Sequence, residues 1–193
     1  KSITFKELDE LTKSFSNFLT YELNLKKGDR IAIQSPNVLQ YPVALFGAIR
    51  SGIIVVNTNP LYTPDEMRHQ FKDSGCKAIL ILSNFAYNLE KIINDTAIEH
   101  VIISDMGDML GTLKGALVNF VVKYVKKMVP KYSIDSFHSF KKAISIGKKH
   151  TYNQVEIQPN DIAFLQYTGG TTGVSKGAML SHKNVISNVI QVS

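Results

Sequence analysis

The stretch Ile53–Leu82 reads IIVVNTNPLYTPDEMRHQFKDSGCKAILIL and decides the fold class. Ile53 to Asn57 is β-branched and predicts a strand. Thr63-Pro64-Asp65-Glu66 starts a helix: Thr63 caps, Pro64 occupies the first position and Glu66 closes the capping box. Ser74-Gly75 stops it, and Ala78 to Leu82 is a second apolar strand. A strand, a helix and a strand in this order predict parallel strands joined by a crossover.

The same alternation continues on both sides. Upstream, Thr4 and Glu7 form a capping box, and Leu8, Leu11, Phe15, Phe18 and Leu19 follow at helical spacing to about Leu23. Lys27-Gly28-Asp29 turns the chain, Arg30 to Gln34 is a strand, and Val38 to Arg50 is a mostly buried helix ended by Gly52. Downstream, a helix is predicted over about 84–93 and a strand over 101–104. A helix follows over 114–128. Residues 133–158 are less regular, with one short helix and a loop. Ile162 to Tyr167 is a strand, Ala178 to Leu180 is short and extended, and a helix starts near Ser181. The predicted class is α/β: a mostly parallel sheet flanked by helices. There are no internal repeats and no low-complexity segment.

The chain has 193 residues and is 44% hydrophobic, which excludes a disordered protein. No apolar run reaches about 18 residues, so no transmembrane helix is expected, and the first residues do not read as a secretory signal. The single cysteine, Cys76, cannot form an internal disulfide, which fits a reducing compartment and a packed thiol. The net charge of +6 is local: nine lysines between Lys114 and Lys149 face one acid, Asp135, so this part is +8 and the remainder −2. A local basic patch implies a local partner or surface.

The stretch most suggestive of chemistry is Tyr167-Thr168-Gly169-Gly170-Thr171-Thr172-Gly173-Val174-Ser175-Lys176-Gly177. Three glycines in five positions let the backbone turn its amides towards an anion. Three threonine hydroxyls can donate to phosphate oxygens or ligate a metal, and Lys176 adds positive charge. It is not a Walker A loop, because Val174-Ser175 separates Gly173 from Lys176. It is not a dinucleotide fingerprint either, since the third glycine is misplaced and the threonines have no role there. A flexible linker rarely carries this ordered pattern and ends in Lys-Gly between two apolar strands.

These eleven residues resemble the phosphate-binding signature of the adenylate-forming enzymes, which include acyl-CoA synthetases, luciferases and peptide-synthetase adenylation domains. Gly169, where many relatives carry serine or threonine, and Ser175, where proline is frequent, look like the variants of bacterial long-chain fatty-acid–CoA ligases. The stretches 35–47, 55–64, 118–127 and 177–184 are similar to the same subgroup. The resemblance covers almost the whole chain. It implies that residues 1–193 are an incomplete part of a large N-terminal adenylation domain.

The implied reaction activates a fatty acid with ATP to an acyl-adenylate and then transfers the acyl group to CoA. The resemblance assigns Tyr167, Thr168, Gly169, Gly170, Thr171, Thr172, Gly173, Val174, Ser175, Lys176, Gly177 and Ala178 to the nucleotide. Thr168, Gly170, Thr171, Thr172, Gly173 and Lys176 would hold the phosphates directly. Lys176 is the candidate catalytic residue and Thr168 a candidate ligand for magnesium, with an acid from elsewhere. The acyl tunnel, the adenine and ribose contacts and a catalytic lysine are expected in other parts of the family's chain, so residues 1–193 alone should be inactive. Two alternatives stand beside this one: an adenylate-forming enzyme for another acid, and a noncatalytic module that binds a membrane or a partner.

Candidates outside the loop read differently. His182, Tyr62 and His69 lie beside helix-start signals, and a structural role is the better reading for each, because an ionised carboxylate needs no base to attack. In the basic segment 111–149, Leu113, Ala116, Leu117, Phe120, Val121, Tyr124, Val125 and Met128 recur at helical spacing opposite Lys123, Lys126 and Lys127. This is either a core-packing helix or one that lies on an anionic membrane surface, and the lipid substrate of the resembled family favours the membrane. The expected location is cytoplasmic, peripheral on the inner face of the cytoplasmic membrane. A homodimer is left open, and no motif supports nucleic-acid binding.

Overall fold

The computed structural model describes residues 2–168 and 175–192. Seven strands form one sheet: β1 (Arg30–Gln34), β2 (Ile54–Asn57), β3 (Ala78–Leu82), β4 (His100–Ser104), β5 (His138–Ser139), β6 (Ile162–Thr168) and β7 (Lys176–Ser181). Their spatial order is β5-β4-β3-β1-β2-β6-β7. Every neighbouring pair is parallel except β6–β7, which is antiparallel. The helices are α1 (Phe5–Asn17), α2 (Gln40–Arg50), α3 (Pro64–Ser74), α4 (Ala86–Glu90), α5 (Thr112–Phe120), α6 (Phe140–Gly147) and α7 (His182–Val192).

Successive strand side chains point to opposite faces. Ile31, Ile33, Val55, Leu80 and Ile102 pack under α1, α2 and α6. Ala32, Val56, Ile79, Ile81 and Ile103 pack under α3 and α4. Burial on both faces explains why these strands read as continuous apolar runs. The helix starts follow the sequence signals. Thr63 Oγ1 accepts from the Glu66 amide at 3.4 Å while Glu66 Oε2 accepts from the Thr63 amide at 2.8 Å. Gly75 ends α3 at φ 60°, a left-handed conformation that glycine adopts without a Cβ penalty.

The chain leaves β1 into α2 on one face of the sheet and leaves β2 into α3 on the other. These neighbouring strands therefore part at a topological switch point. In such sheets the crevice outside the carboxyl ends is where ligands bind.

Several predicted boundaries move. The predicted helix over 84–93 is broken into the short α4 between tight turns at Ser83–Phe85 and Ile93–Asp95. β5 falls inside the stretch read as irregular; two polar residues carry no apolar run to announce a strand. The predicted helix over 114–128 starts earlier, at Thr112, and passes into a wider π-type turn, Val121–Val125, while α6, whose Phe140 and Ala143 are core residues, is the short helix expected within 133–158. No described helix is long and apolar enough to cross a membrane.

Candidate functional site

β6 and β7 are the two stems of a hairpin. Thr168 and Lys176 face each other as its last described rung, at the carboxyl edge of the sheet. Gly169, Gly170, Thr171, Thr172, Gly173 and Val174 lie outside the described residues. The hairpin explains why Ala178 to Leu180 read as only a short extended piece: the paired strand is twice as long, from Lys176 to Ser181, but its exposed, mixed pattern hides it.

The stems are built from the described candidates. Ser175 Oγ donates to the Thr168 carbonyl at 3.0 Å and draws the two ends together. Thr168, Lys176 and Ala178 are exposed, and Ser175 and Gly177 are half-buried. Tyr167 differs from the other candidates. It is buried, and its hydroxyl donates to Asp73 on α3 at 2.5 Å. Burial, reinforced by Asp73, pushes that hydroxyl well above the ordinary tyrosine range, so it stays protonated as a donor. The Tyr167 ring also lies beneath its cross-strand partner Gly177, where a Cβ would come within 2.9 Å of ring carbons. Glycine is needed there for close approach. Tyr167 and Gly177 thus shape the stem.

Beside the hairpin, Ile33, Asn57 and Gln166 stand level on β1, β2 and β6. They open onto a polar cavity of about 320 Å³, also lined by Ser35, Asn37, Thr58 and Tyr62. Tyr41 donates to Asn57 Oδ1 at 3.0 Å, and Asn57 Nδ2 donates to Gln166 Oε1 at 3.2 Å. The cavity carries amides and hydroxyls and no charge among these lining residues. It adjoins the stem at the switch point, where Gln166 and Tyr167 complete its wall.

The structural reading of His182 agrees with its position. It follows β7 at Ser181, the end of the hairpin away from the loop. Seven residues of β6 separate the two ends, about 20 Å at the usual rise per residue. Its amide donates to the Asp161 carbonyl at 3.0 Å, and burial lowers the imidazole's proton affinity. Tyr62 combines a turn role with a place in the cavity wall. His69 goes beyond the local role read for it: Nε2 is 2.9 Å from the Ser175 carbonyl. A residue 106 positions away in the chain leaves no local signal for that contact; the fold alone brings the two together. Among the described residues no group of three or more His, Cys, Asp and Glu is placed to hold a metal ion.

The chain matches the AMP-binding enzyme family over residues 1–193. It is 56% identical over 191 residues to a long-chain-fatty-acid–CoA ligase of Escherichia coli O157:H7, covering 99% of this chain and 34% of that protein. It is 54% identical to one of Haemophilus influenzae, covering 98% and 34%. A solved long-chain-fatty-acid–CoA ligase from Archaeoglobus fulgidus shares the fold at a TM-score of 0.76 and 24% identity, covering 99% of this chain and 32% of that one. The chain thus spans about a third of the length of the curated relatives it matches. With the family match running through the whole sheet and both stems of the loop, this chain belongs to the AMP-binding enzyme family.

Proposed function

We propose that this chain is the phosphate-holding part of an AMP-forming long-chain fatty-acid–CoA ligase. One observation carries the reading: the stretch YTGGTTGVSKG stems from the carboxyl edge of a doubly wound sheet, beside its switch point. The names and identities of the bacterial relatives support the acid and the thiol.

In the proposed reaction a carboxylate oxygen attacks the α-phosphorus of ATP. An acyl–O–P bond forms, the bond to the β-phosphate breaks, and pyrophosphate leaves. The CoA thiol then attacks the acyl carbon and AMP leaves. Negative charge gathers on the departing phosphates, so donors aimed there act on the transition state. Lys176 supplies a fixed positive charge at the stem, and the loop amides and hydroxyls supply donors. The exposed Thr168 hydroxyl is a hard oxygen donor of the kind Mg2+ takes alongside phosphate oxygens and waters. When bound, the ion neutralises the leaving group.

A second reading accompanies the first. α5 leaves apolar side chains uncovered beside lysines, which supports contact with an anionic membrane surface on the cytoplasmic side.

Acid-dependent pyrophosphate exchange by the full-length protein, across a series of acid chain lengths, tests the main reading. Exchange should require ATP and favour long chains. A preference for a short or aromatic acid would reassign the substrate, and no exchange with any acid would leave a noncatalytic module. Lys176→Ala should lower exchange by about 10²-fold, the usual cost of losing one donor aimed at developing charge. Residues 1–193 alone should support none.

A further inference from the structure

Two side chains on one face of α3 touch the loop's stems, one on each side. His69 Nε2 lies 2.9 Å from the Ser175 carbonyl. A carbonyl only accepts, so Nε2 carries the proton. One turn later, Asp73 accepts from the Tyr167 hydroxyl. Ser175 is the residue just after the undescribed stretch, and Tyr167 precedes Thr168 just before it. α3 is itself well anchored: it has a capping box, Pro64 in its first turn and a glycine stop, and Met67 and Phe71 are fully buried. The His69 contact lies outside the sheet ladder and the hydrophobic core, while the Tyr167 hydroxyl reaches Asp73 from a ring buried in the core beside Met67 and Phe71.

We propose that His69 and Asp73 are positioning residues, and that α3 clamps both stems of the phosphate loop at a set separation. The inference rests on the reading of this loop as an ATP-phosphate site. Physically, strands that are already held in place lose less freedom when a ligand binds beside them, so binding is stronger for the same contacts. The clamp acts through the Ser175 carbonyl and the Tyr167 ring and reaches no phosphate itself.

The test uses the full-length protein and four variants: His69→Ala, His69→Gln, Tyr167→Phe and Asp73→Ala. His69→Ala should raise KM for ATP about tenfold, the equivalent of one net hydrogen bond, with KM for the acid and the thermal midpoint unchanged. His69→Gln, which keeps an N–H donor of similar reach, should restore it. Tyr167→Phe and Asp73→Ala should resemble each other, because each removes one end of the same bond. An unchanged KM for ATP in His69→Ala overturns the clamp. So does an equal rise in both KM values without rescue by glutamine. Limited trypsin cleavage after Lys176 provides a readout free of catalysis: it should be faster in His69→Ala and return to the parental rate in His69→Gln. Absence of exchange in the parent protein would refute the proposed function, while an unaltered cleavage rate would refute the clamp by itself.

Discussion

α1 and α5 carry the same kind of signal, apolar residues at helical spacing with charges opposite, and meet opposite fates. α1 and the π-type turn that continues it, Phe18–Glu22, bury their stripe: Phe15, Phe18 and Leu19 are fully inaccessible beneath α2 and α6. Asn17 seals the contact by donating to the Gly147 and His150 carbonyls at 3.0 and 2.7 Å. α5 and its continuation leave Leu117 63%, Phe120 55%, Tyr124 60% and Val125 61% exposed. α5 touches the body through Gly115, set against Gly107, and through Asn119, whose Oδ1 accepts from the Gly107 amide at 2.7 Å. The difference teaches that amphipathic spacing specifies a face but not what covers it. Within the described residues one stripe serves the core and the other is left uncovered.

Three variants would break or sharpen this contrast. Phe15→Ala should cost about 3–5 kcal/mol, the range for emptying a buried aromatic site, seen as a large fall in the denaturant midpoint. A loss under about 1 kcal/mol would mean that the α1 stripe is no more committed than that of α5. Gly115→Ala sets two effects against each other. Alanine favours a helix by about 1 kcal/mol, but its Cβ would stand 2.5 Å from the Gly107 carbonyl oxygen, and such crowding costs about 1–3 kcal/mol. The crowding should win, so amides of α5 should exchange faster with deuterium while those of β1 and β3 do not change. Slower exchange throughout α5 would show that the glycine contact holds nothing. The smallest effect on stability belongs to the double change Leu117→Ser with Phe120→Ser, within about 0.5 kcal/mol, as for exposed sites generally. The same variant should lose co-sedimentation with phosphatidylglycerol vesicles and behave like the parent with phosphatidylcholine. Equal sedimentation of parent and variant would remove the membrane role.

The legible parts of the fold are those where local signals and burial agree. Both capping boxes, the Gly75 stop and strands β1 to β4 stand where the residues place them, because each strand is apolar enough to be read alone. β5 escaped because a two-residue edge strand has no period to detect. β7 was shortened because its residues face solvent and gain their order from pairing with β6. At the site, the proposed phosphate loop reads as a motif, since glycines, hydroxyls and a lysine are dense in one stretch. The polar cavity is not, because Ser35, Asn57 and Gln166 come from three separate strand ends. His69 and Asp73 likewise read as ordinary residues of an exposed-type helix until α3 is folded over the hairpin.

By itself the sequence determined the alternation of strands and helices and the two-faced burial of the central strands, because each is written in consecutive residues, and it offers residues 167–177 as the proposed anion-binding motif. Tertiary structure decided the order of the strands, the switch point between β1 and β2, and which amphipathic helix would be covered. It also decided that Tyr167 would turn to Asp73 and His69 to Ser175. Those outcomes depend on groups far apart in the chain competing for the same space. Only the packed fold settles which of them meet.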